Sequence, residues 1–214
     1  MARALLALLL TFPAALGGAA PGSEPGSAAA LGREVQAYYE RTKDFEARFV
    51  QTYTYASFGR SQTSRGTLRV KKPGKLRWDY LEPTPKTIVV NGPRLVQYEP
   101  DANQAYVDEH FDATALSAAV TFLLGKGSLE KDFALSSTAP GRLVLTPRQA
   151  DGRVREVVLT VSEGGQVTAT RVVDGSGNVN ELAFEGLKRN VGLKDDLFAL
   201  ELPKDVHRVQ PPTP

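Results

Sequence analysis

The chain reads as a mainly β protein (α+β), an antiparallel meander curved or partly closed into a barrel. Three observations point there. Turn-forming residues recur at short intervals, the segments between them alternate apolar and polar side chains with period two, and one apolar helical stretch interrupts the series.

The first 30 residues stand apart from this pattern. Arg3, the apolar run Leu5 to Phe12 and a following Gly/Ala-rich stretch have the three parts of a secretory signal peptide, and the run is too short to span a bilayer. Small-residue pairs allow cleavage near Gly17, after Ala20 or as late as Ala30. Pro13 and the Pro/Gly/Ser segment Pro21 to Ser27 argue against a packed helix there. Residues 1–30 are therefore expected to be a signal peptide and flexible segment. Residues 31–214 are long enough for a single domain with a sizeable core.

An amphipathic helix is expected over Leu31 to Lys43, with Leu31, Val35 and Tyr38 or Tyr39 on one side. The period then changes to two. Phe45, Ala47, Phe49, Gln51, Tyr53 and Tyr55 fall on one face of a long strand, and Glu46, Arg48, Val50, Thr52 and Thr54 on the other. Turn signals follow at Pro73-Gly74, Asn91-Gly92, Pro100 to Asn103, Pro140-Gly141, Asp151-Gly152, Gly164-Gly165 and Asp174 to Asn178. Between them lie strand candidates at Leu68–Lys72, Leu76–Tyr80, Thr87–Val90, Leu95–Tyr98, Ala105–Val107, Phe133–Leu135, Leu143–Thr146, Val154–Val161, Val167–Val173 and Val179–Leu187. With the first long strand this makes about eleven. Asp112 can cap a helix from Ala113 that places Leu116, Val120, Leu123 and Leu124 on one face and ends at Gly125. Such a helix could close one mouth of a barrel or plug its core.

Composition excludes several functions. The formal charge is +2 and stays so without residues 1–30, which carry Arg3 and Glu24, so no nucleic-acid partner is expected. Lys71, Lys72, Lys75 and Arg77 form a local basic patch, open to an anionic membrane, an acidic protein or plain solvent. With no cysteine, the chain forms no disulfide, offers no thiolate to a metal and has no lipidated anchor. His110 and His207 sit in no metal or triad spacing, and G-x-S-x-G is missing, so neither catalysis nor a cofactor is expected. Gly125-Lys126-Gly127-Ser128 lacks the upstream glycine of a phosphate loop and reads as a helix end. Asp174, Ser176, Asn178 and Glu185 match calcium-loop positions, but Val179 stands where glycine is required, and a hairpin turn explains the segment better.

What remains is apolar and aromatic surface on strand faces: Phe49, Tyr53, Leu68, Val70, Leu76, Trp78, Ile88, Val90, Val96 and Tyr98. A curved sheet this rich can enclose a lipid, and an ordinary sandwich core would carry the same residues. Strict alternation puts Arg77 opposite Leu76 and Trp78, so the three cannot all line one cavity.

Several motifs resemble one family. F-x-Q at Phe49 to Gln51, G-T-L-x-V-K-K-P-G at Gly66 to Gly74, L-R-W at Leu76 to Trp78, Glu82-Pro83, L-T-P at Leu145 to Pro147 and the closing Phe198-x-Leu200-x-Leu202-Pro203-x-x-Val206 are similar to the LolA family of periplasmic outer-membrane lipoprotein carriers. The resemblance runs in order along almost all of residues 31–214. It implies an incomplete antiparallel barrel with an α-helical lid over an apolar cavity. That cavity would take acyl chains of lipoproteins released by an inner-membrane ABC transporter and pass them to an outer-membrane receptor. By the same resemblance Arg77 corresponds to an arginine that holds the lid closed, and Ala113 to Leu124, with Leu116, Val120 and Leu123, to a lid helix. Leu76 replaces the family's usual aromatic. Burying ~15 methylenes at roughly 0.8 kcal/mol each gives about 12 kcal/mol of gross attraction without directional contacts, which suits a carrier of varied cargo. The alternative is a lipid- or lipoprotein-binding sensor domain of the same fold that transports nothing. A monomer is expected.

Overall fold

The computed structural model describes residues 25–112, 127–149, 152 and 154–209. Among these residues twelve strands form one sheet: β1 (Asp44–Tyr55), β2 (Arg60–Lys71), β3 (Lys75–Glu82), β4 (Lys86–Asn91), β5 (Arg94–Glu99), β6 (Gln104–Asp108), β7 (Phe133–Ala139), β8 (Arg142–Pro147), β9 (Glu156–Val161), β10 (Val167–Val173), β11 (Val179–Arg189) and β12 (His207–Val209). Their order is β12-β6-β5-β4-β3-β2-β1-β11-β10-β9-β8-β7. The sheet is thus two meanders, β1 to β6 and β7 to β11, joined where β1 pairs antiparallel with β11. Its outer strands, β12 and β7, do not meet, so this is the incomplete barrel expected.

Three details depart from the sequence reading. β2 starts at Arg60, because the polar run Arg60 to Thr67 follows the long β1 residue for residue, from Asp44↔Lys71 to Tyr55↔Arg60. Cross-strand hydrogen bonding, not apolar alternation, makes that half of the strand. β12 is short and runs parallel to β6. The first helix, α1, spans Pro25–Glu40 and so begins inside the segment expected to be flexible.

α1 lies on the inner face and buries Ala28, Val35, Tyr38 and Tyr39. Gly165 makes this seat possible: a Cβ there would run into the carbonyl of Glu34, and its φ of +88° is one that glycine adopts freely. The helix ends under two clamps. Thr42 Oγ1 donates to the Tyr38 carbonyl at 2.8 Å, and Lys72 Nζ donates to that of Tyr39, supplying a cation at the carbonyl end. Burial lowers the Lys72 pKa against the pull of Glu40. Around α1 the main core gathers Phe45, Phe49, Leu68, Val70, Leu76 and Val90 from one meander and Leu143, Leu145, Leu159 and Leu182 from the other.

A second apolar layer covers the outer face. Past β11 the chain is tied down by buried Asp44, whose carboxylate accepts from the Val191 N–H at 2.8 Å and from that of Gly192. It then crosses β3 to β6 as a strap, with a 3-10 turn at Asp195–Phe198. Phe198 and Leu193 pack on Val89, and Val206 on Val96, Ala105 and Val107.

Candidate ligand-binding face

The register of β1 to β4 sets out the inner face row by row. Phe45 opposes Val70, which opposes Leu76, which opposes Val90. Ala47, Leu68, Trp78 and Ile88 form the next row, and Phe49, Gly66, Tyr80 and Lys86 the third. Side chains directly across an antiparallel pair share a face, so these rows make one continuous surface. Leu76 and the other members of the first row are buried, while Trp78, Ile88 and Tyr80 keep partial exposure.

Aromatic rings dominate the partly exposed part, resting on the buried ring of Phe49. Phe49 meets Trp78 edge-on at 5.5 Å and Tyr80 edge-on at 5.1 Å, and Trp78 and Tyr80 stack with centroids 5.8 Å apart and planes 4° from parallel. Gly66 makes room for this group: a Cβ there would come within 2.9 Å of Phe49 Cε1 and into the Asp79 carbonyl. Lys86 Nζ lies 4.7 Å from the Tyr80 ring centroid. Burial pushes the Tyr80 phenol up to about 12, with its hydroxyl meeting the Gln51 side chain.

One row further along, the lining turns polar. Gln51 Nε2 donates to Asn180 Oδ1 at 2.9 Å, and Tyr53, its ring 4.7 Å from that of Tyr55, stands beside them. Here a cleft of about 390 Å³ opens, lined by Gln51, Tyr53, Ser64, Tyr80, Lys86 and Asn180 among others. That lies within the ~300–1,000 Å³ of small-molecule sites. The face therefore grades from a sealed apolar end under α1, through an aromatic middle, to a polar mouth.

Of the residues singled out in the sequence, Phe49, Tyr53, Leu68, Val70, Leu76, Trp78, Ile88 and Val90 share this face. Val96 and Tyr98 do not. Asn91 pairs with Arg94 across a two-residue turn, which sets Val90 against Leu95 and Val89 against Val96. Leu95 thus joins the inner face, and Val96 and Tyr98 pack in the outer layer with Ala105, Val107 and Val206. Leu116, Val120 and Leu123 lie outside the described residues. The sequence reading passed over Tyr80, Leu95 and Phe184. Tyr80 and Leu95 could have been found by carrying the alternation from Trp78 and across the Asn91 turn. Phe184 needed the β1–β11 pairing, which places it opposite Phe49.

Arg77 stands on the outer face, paired with Arg69 and Val89. Its Nε donates to Asp79 Oδ2 at 2.8 Å and its Nη1 to the Leu197 carbonyl at 3.1 Å. Asp79 also accepts from Arg69 Nη1 at 3.1 Å and Thr87 Oγ1 at 3.0 Å. The basic patch is likewise turned inward on the protein itself: Lys71 Nζ donates to Asp195 Oδ1 at 2.6 Å and to the Leu193 carbonyl, and Lys75 Nζ sits 2.9 Å from Asp195 Oδ2. These hydrogen bonds hold the Asp195 carboxyl below the ordinary carboxylate value. Asp174, weighed above as a calcium ligand, accepts from the Ser176 and Asn178 N–H groups at 2.9 Å each, which is turn chemistry.

The sequence model described as "Outer membrane lipoprotein carrier protein LolA" matches residues 40–201. A protein named outer-membrane lipoprotein carrier protein from Alkalilimnicola ehrlichii is 32% identical over 177 residues, covering 82% of each chain. One of the same name from Dechloromonas aromatica is 28% identical over 170 residues, 78% of this chain and 81% of that one. Among solved structures, an uncharacterized conserved protein from Thermus thermophilus superposes with a TM-score of 0.53 at 15% identity, over 86% of this chain and 99% of that one, a likeness of fold. By the family match along most of its length, the chain belongs to the LolA family.

Proposed function

We propose that the protein is a periplasmic chaperone that binds the acyl chains of lipoproteins released from the inner membrane by an ABC transporter and hands them to an outer-membrane receptor. The observation that carries this reading is the graded inner face, where Trp78, Tyr80 and Ile88, packed on the buried Phe49, offer partly exposed apolar surface between a sealed core and a polar mouth. An acyl chain fits such a gradient, its hydrocarbon on the apolar rows and its head group toward Gln51, Asn180 and Lys86. Binding rests on area, roughly 0.8 kcal/mol per buried methylene, so it tolerates different polypeptides on the same lipid. The relatives named as lipoprotein carriers support the cargo class. The protein works as a monomer, exported by its N-terminal signal and independent of nucleic acid, metal and cofactor.

The test is release from membranes. Spheroplasts making a labelled triacylated lipoprotein are incubated with the mature protein, and the supernatant is fractionated by size. A soluble one-to-one complex is expected. Label that stays on the membrane at every protein concentration overturns the reading.

A further inference from the structure

Trp78 is the chain's only tryptophan, and among the described residues its indole N–H finds no hydrogen-bond partner. Among the described residues, Trp78 Nε1 is the single buried side-chain nitrogen or oxygen without a hydrogen-bond partner. Buried polar groups are paired in the great majority of cases, so an exception needs a reason. Looseness is not the reason here. The ring is stacked on Tyr80, meets Phe49 edge-on, and stands in register between Leu68 and Ile88. Turning the indole to find an acceptor would break that packing.

The neighbours define what would satisfy it. An indole N–H only donates, so the missing group is an acceptor. Its immediate surroundings, Phe49, Leu68 and Ile88, are apolar and carry no charge, which favours a neutral oxygen over a carboxylate left unpaired in the same place. An acyl chain in an ester or amide brings such an oxygen, its carbonyl, attached to the hydrocarbon that the face already suits. We propose that Trp78 Nε1 recognises the carbonyl oxygen of an acyl ester or amide bound on the inner face, so that the site selects acyl chains over alkyl chains of equal length. This rests on the acyl-binding reading above and adds a directional contact to it. The carbonyl could belong to the lipid of a lipoprotein or to a phospholipid.

A protein with one tryptophan gives one indole cross-peak in a ¹⁵N-correlated NMR spectrum, which makes the contact directly observable. The uniformly labelled mature protein is titrated with a diacylglyceryl-cysteine peptide, with its dialkyl ether analogue of equal chain length, and with a short-chain diacyl phosphatidylcholine. The diacyl peptide is expected to move the indole proton downfield and to bind on the order of five- to tenfold more tightly than the ether, the factor one buried hydrogen bond supplies. A similar shift with the phosphatidylcholine extends recognition to any acyl ester, and no shift with it confines recognition to the lipoprotein head; both support the proposal. Trp78→Phe keeps a ring in the stack and removes the donor, and should bind ester and ether alike. Equal affinity of the wild type for ester and ether, with the indole peak in the same place, overturns the proposal while leaving acyl binding intact. No binding of any of the three overturns both, and the wild-type comparison stands whether or not the variant folds.

Discussion

Arg77 Nη1 donates to the carbonyl of Leu197, 120 residues further along the chain, from the face of β3 opposite to the one that carries its neighbour Trp78. One step of the strand thus divides two tasks. Trp78 belongs to the aromatic surface, and Arg77 fastens the C-terminal strap. The resemblance to the family implies a lid-closing role for Arg77, but its described bonds all serve the strap and Asp79. Arg77→Leu is expected to lower stability by about 1–3 kcal/mol, since it strands part of the Asp79 carboxylate and the Leu197 carbonyl. Urea unfolding measures that loss. Acyl-ligand affinity, measured on the same preparation at a temperature where it is folded, should change less than about threefold.

Gly66 is a glycine because a Cβ there would run into the Asp79 carbonyl oxygen and into the edge of the Phe49 ring. Gly66→Ala should cost about 1–3 kcal/mol through overpacking and displace the Phe49–Trp78–Tyr80 group. Trp78 fluorescence reports the displacement as a changed emission maximum in the folded state. An unchanged spectrum and midpoint would remove the steric account of this position.

Asp195 carries a pH signature. Lys71 and Lys75 depress its folded-state pKa below the ordinary 3.8, so its contribution to stability is present in full above that value and is lost as pH falls through the folded pKa. Asp195→Asn should therefore be less stable than the wild type at neutral pH, and the two denaturation midpoints should converge as the solution is acidified well below 3.8. A gap that persists unchanged in acid would contradict the assignment.

The start of α1 bears on processing. Cleavage after Ala30 would cut the helix and remove Ala28, which is buried, whereas cleavage near Gly17 or after Ala20 leaves α1 whole. The intact mass of the protein recovered from a periplasmic fraction is expected to correspond to a start before Pro25. A start at Leu31 would show that the first turns of α1 are dispensable.

Much of this was legible in the residues. Alternation grouped Leu68 with Val70, Leu76 with Trp78 and Ile88 with Val90 on single strand faces, because side chains two apart on a strand point the same way. The register between strands joins those faces, with Phe49, into one surface. Alternation failed at Val96 and Tyr98 for a local reason: whether an apolar residue faces in or out of β5 is set by the length of the Asn91–Arg94 turn, not by its own hydrophobicity. The polar half of β2 and the three residues of β12 were invisible because their pairing partners, β1 and β6, decide their structure. The strap was missed in the same way. The closing motif Phe198 to Val206 was noticed only for its family resemblance, and the apolar outer faces of Val89 and Val96 explain where Leu193, Phe198 and Val206 go.

Whether the inner face carries lipoprotein acyl chains in the cell is decided by native mass spectrometry of the protein purified from periplasm. A fraction of the protein is expected to be bound to a triacylated polypeptide, with the complex lost when Trp78 and Tyr80 are both replaced by aspartate. Protein that is empty, or that carries only free lipid, in a periplasm actively exporting lipoproteins would refute the carrier reading.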